Sequence, residues 1–160
     1  MRKRARLSVI VAILYTLVVG TYLGIRNYRL NRDIDAVAHR AQVAADAEDM
    51  LRYMRQLEAN MEQYGMTSGH TAVVFKRPDN NLSLLYKSVG NIVDRLEEVV
   101  ELPKSSTAYQ VALDDLRGTI RELESPLDGF LYTHNWPLYW LFGIWLWPLV
   151  HALRDDFYEY

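Results

Sequence analysis

The chain has 160 residues, a formal net charge of −2, 50% apolar residues and no cysteine. Without thiols there is no disulfide framework, thiolate metal site or thiol nucleophile, and the mildly acidic balance between its two long apolar stretches argues against a nucleic-acid surface. Setting those stretches aside leaves residues 29–135, enough for one modest core and a single domain.

Residues 1–6, MRKRAR, form a basic tail, followed by an uncharged run from Leu7 to Ile25 and then by Arg26, Arg29 and Arg32. As a helix that run rises about 28 Å, close to the roughly 30 Å hydrocarbon core of a bilayer. A transmembrane helix is therefore expected over 7–28. A cleaved signal peptide needs a shorter apolar core with small-x-small close behind, and the nearest such triplet, Ala36-Val37-Ala38, lies beyond a charged run. The expectation is an uncleaved anchor.

Between Asn31 and Tyr64 neither glycine nor proline interrupts the sequence. Apolar or small residues recur at Leu30, Ile34, Val37, Ala41, Ala44, Ala47, Leu51, Met54, Leu57, Met61 and Tyr64, the three-and-four spacing of one helix face. One long outbound amphipathic helix is expected. Its first half is rich in alanine, which brings a neighbouring backbone close, and its second half carries larger Met and Leu side chains.

From Gly65 to Asn81 the period disappears in GMTSGHTAVVFKRPDNN, which reads as a loop at the far end of a hairpin. Asn80 or Asn81 can cap the next helix, whose stripe runs through Leu82, Leu85, Val89, Ile92, Leu96 and Val99 until Pro103. Ser105 or Ser106 can cap a further segment through Tyr109, Leu113, Leu116, Ile120 and Leu123. Outbound and return lengths match at roughly 52 and 60 Å. The expected fold is an all-α membrane protein. Two transmembrane helices bracket an extramembrane antiparallel helical hairpin over 29–135, its return helix broken near Pro103.

Residues 136–153, WPLYWLFGIWLWPLVHAL, hold all four tryptophans and no charged side chain, and form the second expected span, with 154–160 an acidic tail. Trp136, Trp140, Ile144, Trp147 and His151 share one face, with Gly143 beside them. That face is a candidate partner contact, because indole N–H groups below the headgroup belt want an acceptor. Tilting and ordinary lipid exposure form the alternative. With two spans both termini share one side, and Arg2, Lys3, Arg4 and Arg6 favour the cytoplasm for it. This places the chain in the cell membrane with its central domain periplasmic or extracellular. Arg26, Arg29, Arg32, Arg117 and Arg121 oppose that orientation, but long translocated domains largely escape the charge rule.

Chemistry-bearing residues are scattered. His39, His70, His134 and His151 fall in four different segments, and the first span has no histidine, so one chain cannot clamp a haem between its two spans. The acidic groups Glu48/Asp49, Glu97/Glu98/Glu101 and Asp114/Asp115 lack a histidine at metal-site spacing and read as a solvated helix face. No phosphate-binding glycine loop or nucleophile elbow occurs. The chain is therefore expected to be no enzyme and to hold no cofactor or metal. The loop is the other candidate contact: Thr67, Ser68, His70 and Thr71 around Gly69 offer hydroxyls and backbone N–H groups to a partner or an anion, with plain connection as the alternative.

These features point to a non-enzymatic accessory or scaffold subunit of a larger membrane complex, docking through its spans and bracing or recruiting a partner with its hairpin. Its partners would be other membrane subunits or a homodimer mate, together with the lipid bilayer. Only nine residues follow His151, which leaves no room there for a kinase, cyclase or signalling coiled coil. The alternative is a sensor-like module whose dimer forms an extracytoplasmic four-helix bundle and signals through a separate partner.

Overall fold

The computed structural model describes residues 2–72, 74–123 and 129–139. Two compact units divide the chain, one comprising Met1–Asn27 with His134–Tyr160 and the other Tyr28–Thr133. Regular structure among the described residues is helical, with no strand.

Helix α1 (Arg2–Leu30) lies in the first unit as far as Asn27, and its run from Leu7 to Ile25 carries no charged residue. Ile10, Ile13, Leu14, Leu17, Val18 and Ile25 are each at least half exposed. A helical stretch that is apolar all round belongs in a core or in a bilayer, and among the described residues these side chains are in no core. The helical stretch Ile10–Gln42 is the one among the described residues long and apolar enough to cross a membrane. Two of its hydroxyl groups find carbonyl partners: Thr16 donates to that of Ala12 at 2.8 Å and Tyr15 to that of Leu138 at 3.4 Å. Helical residues 129–139 run into the second apolar stretch, which lies outside the described residues from position 140 on.

The second unit is an up-down-up-down four-helix bundle. A π-helical turn (Asn31–Asp35) leads into α2 (Ala36–Gln42), followed by α3 (Ala47–Gln63), α4 (Leu82–Val100) and α5 (Thr107–Glu122). Helix α2 packs on α3 and α5, and α4 packs on the same two, closing a ring. Its core contains Leu30, Ile34, Met50, Met54, Met61, Leu82, Leu96, Leu113, Leu116 and Phe130. Four of the five methionines, Met50, Met54, Met61 and Met66, are almost completely buried on α3 and its C-terminal cap.

The single outbound helix expected from Asn31 to Tyr64 is instead two helices that reverse at Val43–Asp46. Asp46 takes an extended backbone and its carboxylate accepts the Asp49 N–H at 2.9 Å, capping α3, while Glu48 and Asp49 in the first turn suit the positive end of the helix dipole. The reversal is then fastened by α5. Tyr109 Oη accepts the Ala47 N–H at 2.9 Å, and Arg117 donates to the carbonyls of Ala44 at 2.7 Å and Ala45 at 3.3 Å. Each bond occupies a backbone group that a helix end leaves without a partner. Ala41, Ala44 and Ala47 are buried, and their small side chains permit the close approach. All the outbound residues expected on one apolar face are buried, apart from the half-buried Tyr64; the reversal changes their connectivity and leaves their burial intact.

The remaining ends follow the sequence closely. Asn81 caps α4 through the N–H groups of Ser83 and Leu84, and Ser106 caps α5 through that of Tyr109. Helix α4 stops at Val100, before Pro103, and the chain turns back rather than continuing as a second half-helix. Gly90 and Gly118 sit inside unbroken helices.

The Tyr109 hydroxyl meets a buried amide, so Tyr109→Phe leaves that N–H without an acceptor and should cost about 1–3 kcal/mol of bundle stability. Val111→Ala, on the same helix but 63% exposed, should stay within about 0.5 kcal/mol of the parent. Urea denaturation of the full chain in detergent, followed by circular dichroism, measures both; equal responses would contradict this role for Tyr109.

Candidate functional site

The Gly65–Asn81 loop starts where α3 is closed off by a Schellman motif. Gly65 takes φ +72°, its N–H donates to the Glu62 carbonyl at 3.0 Å, and the Met66 N–H donates to the Met61 carbonyl at 2.8 Å. Met61 and Met66, the positions at which an apolar contact accompanies this geometry, are both buried in the core. Beyond Gly69, at φ +94°, the two limbs of the loop pair: the Thr71 N–H donates to the Asn80 carbonyl at 2.9 Å and the Leu82 N–H to that of Gly69 at 3.0 Å. His70 lies opposite Asn81 in an isolated antiparallel bridge. Asn80 then ties down the tip, donating through Nδ2 to the Phe75 carbonyl at 2.7 Å and accepting the Arg77 N–H through Oδ1 at 3.0 Å. This closed frame holds Val74 and Phe75 outward at 74% and 77% exposure, followed by exposed Lys76 and Arg77.

Because α3 runs back, this loop is not at the far end of a hairpin. It lies at the end of the bundle where the unit begins and finishes. Tyr64 Oη donates to Asp33 Oδ2 at 2.7 Å and Asn60 Nδ2 to the Asp33 carbonyl at 2.6 Å, joining the end of α3 to the π-helical turn. At Gly129 a Cβ would meet the Thr71 carbonyl oxygen at 2.7 Å, so the loop's first limb sits directly on that backbone.

The charges at this end are organised around Asp33. Arg32 Nε lies 2.6 Å from its Oδ1, and this contact, with the Tyr64 hydroxyl, holds the carboxyl below its ordinary range. Burial and the adjacent carboxylate push the Tyr64 phenol up. At the opposite end the Asp49 amide, aided by Lys104, holds Asp46 low. On the flank Tyr86 donates to Glu62 at 2.6 Å, which pushes its phenol up to about 12. The acidic groups on α4 and α5 are exposed, with Glu97 paired to Arg55, Asp115 to Arg95 and Asp114 to Arg117.

Thr67 and His70 are half-buried and Ser68 is exposed on the loop. Trp136 is 46% exposed in the other unit, whereas Trp140, Gly143, Ile144, Trp147 and His151 lie outside the described residues. His39 and His134 are exposed in separate units, and among the described residues no group of His, Asp or Glu side chains is placed to hold a metal ion. In the first unit Arg26 donates to Tyr22 Oη at 3.0 Å and to Oδ1 of the buried Asn135 at 3.4 Å, a polar contact that sequence reasoning treated only as a charged flank. Comparison with models of protein families, with curated proteins and with solved structures gives no match to this chain.

Two glycines should answer substitution with opposite signs. Gly129→Ala forces its methyl against the Thr71 backbone and should destabilise the unit by about 1–3 kcal/mol, with faster hydrogen exchange at the Thr71 amide. Gly118→Ala adds a methyl in open space inside α5 and should stabilise by about 0.4–1 kcal/mol. Denaturant titrations of the two variants, read against amide exchange, check both signs.

Asp33 and Asp46 are held lower in the folded bundle than in an unfolded chain, so they bind protons more readily once unfolded. Their contribution to stability is complete above about pH 4 and is lost as pH falls through their folded values. The Asp33→Asn, Asp46→Asn chain, which keeps acceptors at both positions, should lose less stability between neutral pH and pH ~3 than the parent. An acid titration of unfolding free energy with coincident slopes would contradict the assignment.

Proposed function

We propose that this chain is a non-enzymatic accessory or scaffold subunit of a larger membrane protein complex. The carrying observation is the apolar surface of α1, whose Leu14, Leu17 and Val18 side chains are 56–68% exposed and demand a non-aqueous neighbour. In this reading α1 is one transmembrane helix and 136–153 a second. The termini face the cytoplasm and the bundle stands on the periplasmic or outer side. The bundle buries its own stripes within one chain, so it has no need of a dimer mate to complete its core. It braces or recruits a partner through its charged outer faces and the Gly65–Asn81 loop, while the spans supply docking.

A second reading is favoured by the same closed bundle: a sensor-like extracytoplasmic four-helix module, complete in one chain, that signals through a separate partner.

In the docking reading Trp140, Ile144 and Trp147 lie on the contact face. Trp147→Leu keeps the span apolar, so insertion should persist while association weakens by roughly 1–3 kcal/mol. Val150→Leu, off that face, is the matched control. Purification from native membranes under rising detergent, with quantification of co-purifying chains, reads the difference. Equal partner yield from both variants sinks the docking face, and a partner-free chain whose melting temperature rises with an added small molecule supports the sensor reading instead.

A further inference from the structure

We propose that the loop tip Val74-Phe75-Lys76-Arg77 is a foot on the membrane surface, with Val74 and Phe75 entering the headgroup layer of an anionic bilayer and Lys76 and Arg77 meeting its phosphates. The proposal rests on the reading of α1 as a membrane span. Four observations carry it. First, the two apolar side chains are the most exposed large ones among those described, and a closed frame of hydrogen bonds from Asn80 and the Thr71–Asn80 pairing presents them. They are not tucked back onto the bundle.

Second, the loop lies at the end of the unit that holds both of its chain connections. Its base follows Tyr64, which is bonded to Asp33, and its first limb sits on Gly129. Tyr28, the first residue of the unit, is three residues from Ile25 of the apolar run, a reach of at most about 11 Å. The end carrying the foot is therefore the end tethered to the span.

Third, the loop tip itself carries a net positive charge. Lys76 and Arg77 at the tip stand with exposed Arg29, Arg32 and Arg121 at the same end, where the acids include Asp33, already paired, Glu62, bonded to Tyr86, Asp79, 3.8 Å from Arg77, and Glu122 at the end of α5. The opposite end also exposes an apolar side chain, Val43, but beside Asp46, Glu48 and Glu101 with Lys104 bound between the first two. Basic residues next to an apolar tip suit anionic lipid, and an aromatic ring suits the interface. Fourth, two side chains on a convex tip offer far less than the roughly 800 Å² per partner of a stable protein interface, whereas a fluid lipid surface shapes itself to such a tip.

The cysteine-free chain makes a direct test available. Val74→Cys carries a single environment-sensitive nitrobenzoxadiazole label, with Leu14→Cys on α1 and Ser105→Cys in the α4–α5 turn as references. The full chain is reconstituted in vesicles of phosphatidylcholine and phosphatidylglycerol, with and without lipids bearing a spin label near the headgroup. The label at position 74 should be blue-shifted and quenched, the label at 105 water-like and unquenched. Adding Phe75→Ser, Lys76→Glu and Arg77→Glu should drop the signal at 74 to the level at 105; circular dichroism confirms that the bundle persists. A water-like label at 74 beside a blue-shifted one at 14 overturns the foot and leaves the membrane reading standing, as does quenching at 74 that survives the triple substitution. Water-like labels at both 74 and 14 overturn the membrane reading itself. A label at 74 that shifts only on addition of another protein assigns the tip to that protein and overturns the lipid proposal.

Discussion

The bundle depends on how one reversal, Val43–Asp46, is closed. A helix that ends inside a packed domain exposes carbonyls, and one that starts there exposes amides; four residues contain both problems at once. Asp46 answers one amide from within the turn, and α5 answers another amide and two carbonyls from across the bundle through Tyr109 and Arg117. Local and long-range order are therefore coupled. Without α5 in place the turn has unmet polar groups, and without the turn α5 has no surface of small side chains to approach. The Arg117–Asp114 pair is exposed on its acidic side and contributes little by itself. The contribution of Arg117 comes from its bonds to backbone oxygens in a half-buried setting.

Burial was far more legible than connectivity. The three-and-four spacing identifies the inward residues of all four helices, including the outbound row from Leu30 to Met61. It fails at Ala44–Ala47, where the reversal happens to preserve a spacing of three, so a stripe that changes helix looks like a stripe that continues. A readable signal did exist: Asp46, followed by Glu48 and Asp49, is an N-terminal cap with acids in the first turn. Alanine's high helix propensity outweighed it, since nothing local announces that a tyrosine and an arginine more than sixty residues away supply the missing partners. Asn81, Ser106 and Pro103 could be read because their effects are local. The loop's position could not, being inherited from the direction of α3. The tryptophan face beyond Tyr139 lies outside the described residues.

Polar pairing across the bundle defines which helix faces which. Arg55–Glu97 joins α3 to α4, Arg95–Asp115 joins α4 to α5, and Tyr86–Glu62 repeats the α3–α4 register lower down. Exposed pairs of this kind add little stability each, yet like charges in the wrong register would oppose each other, so they select one arrangement from several with similar apolar burial. A bundle closed in this way completes its core within one chain.

The methionine row on α3 gives the core an uneven character. Met50, Met54, Met61 and Met66 are unbranched and polarisable, so α3 and its cap fill irregular gaps by adjusting side chains rather than by fixed shape. The same sulfurs are the oxidisable atoms of a core that has no thiol. While the helices stay closed they are shielded from solvent oxidants; each opening exposes them, and a sulfoxide formed then would return a polar oxygen to a site lined by apolar groups. The bundle thus carries its own record of unfolding, written as damage at its centre and accumulating with the time it spends open.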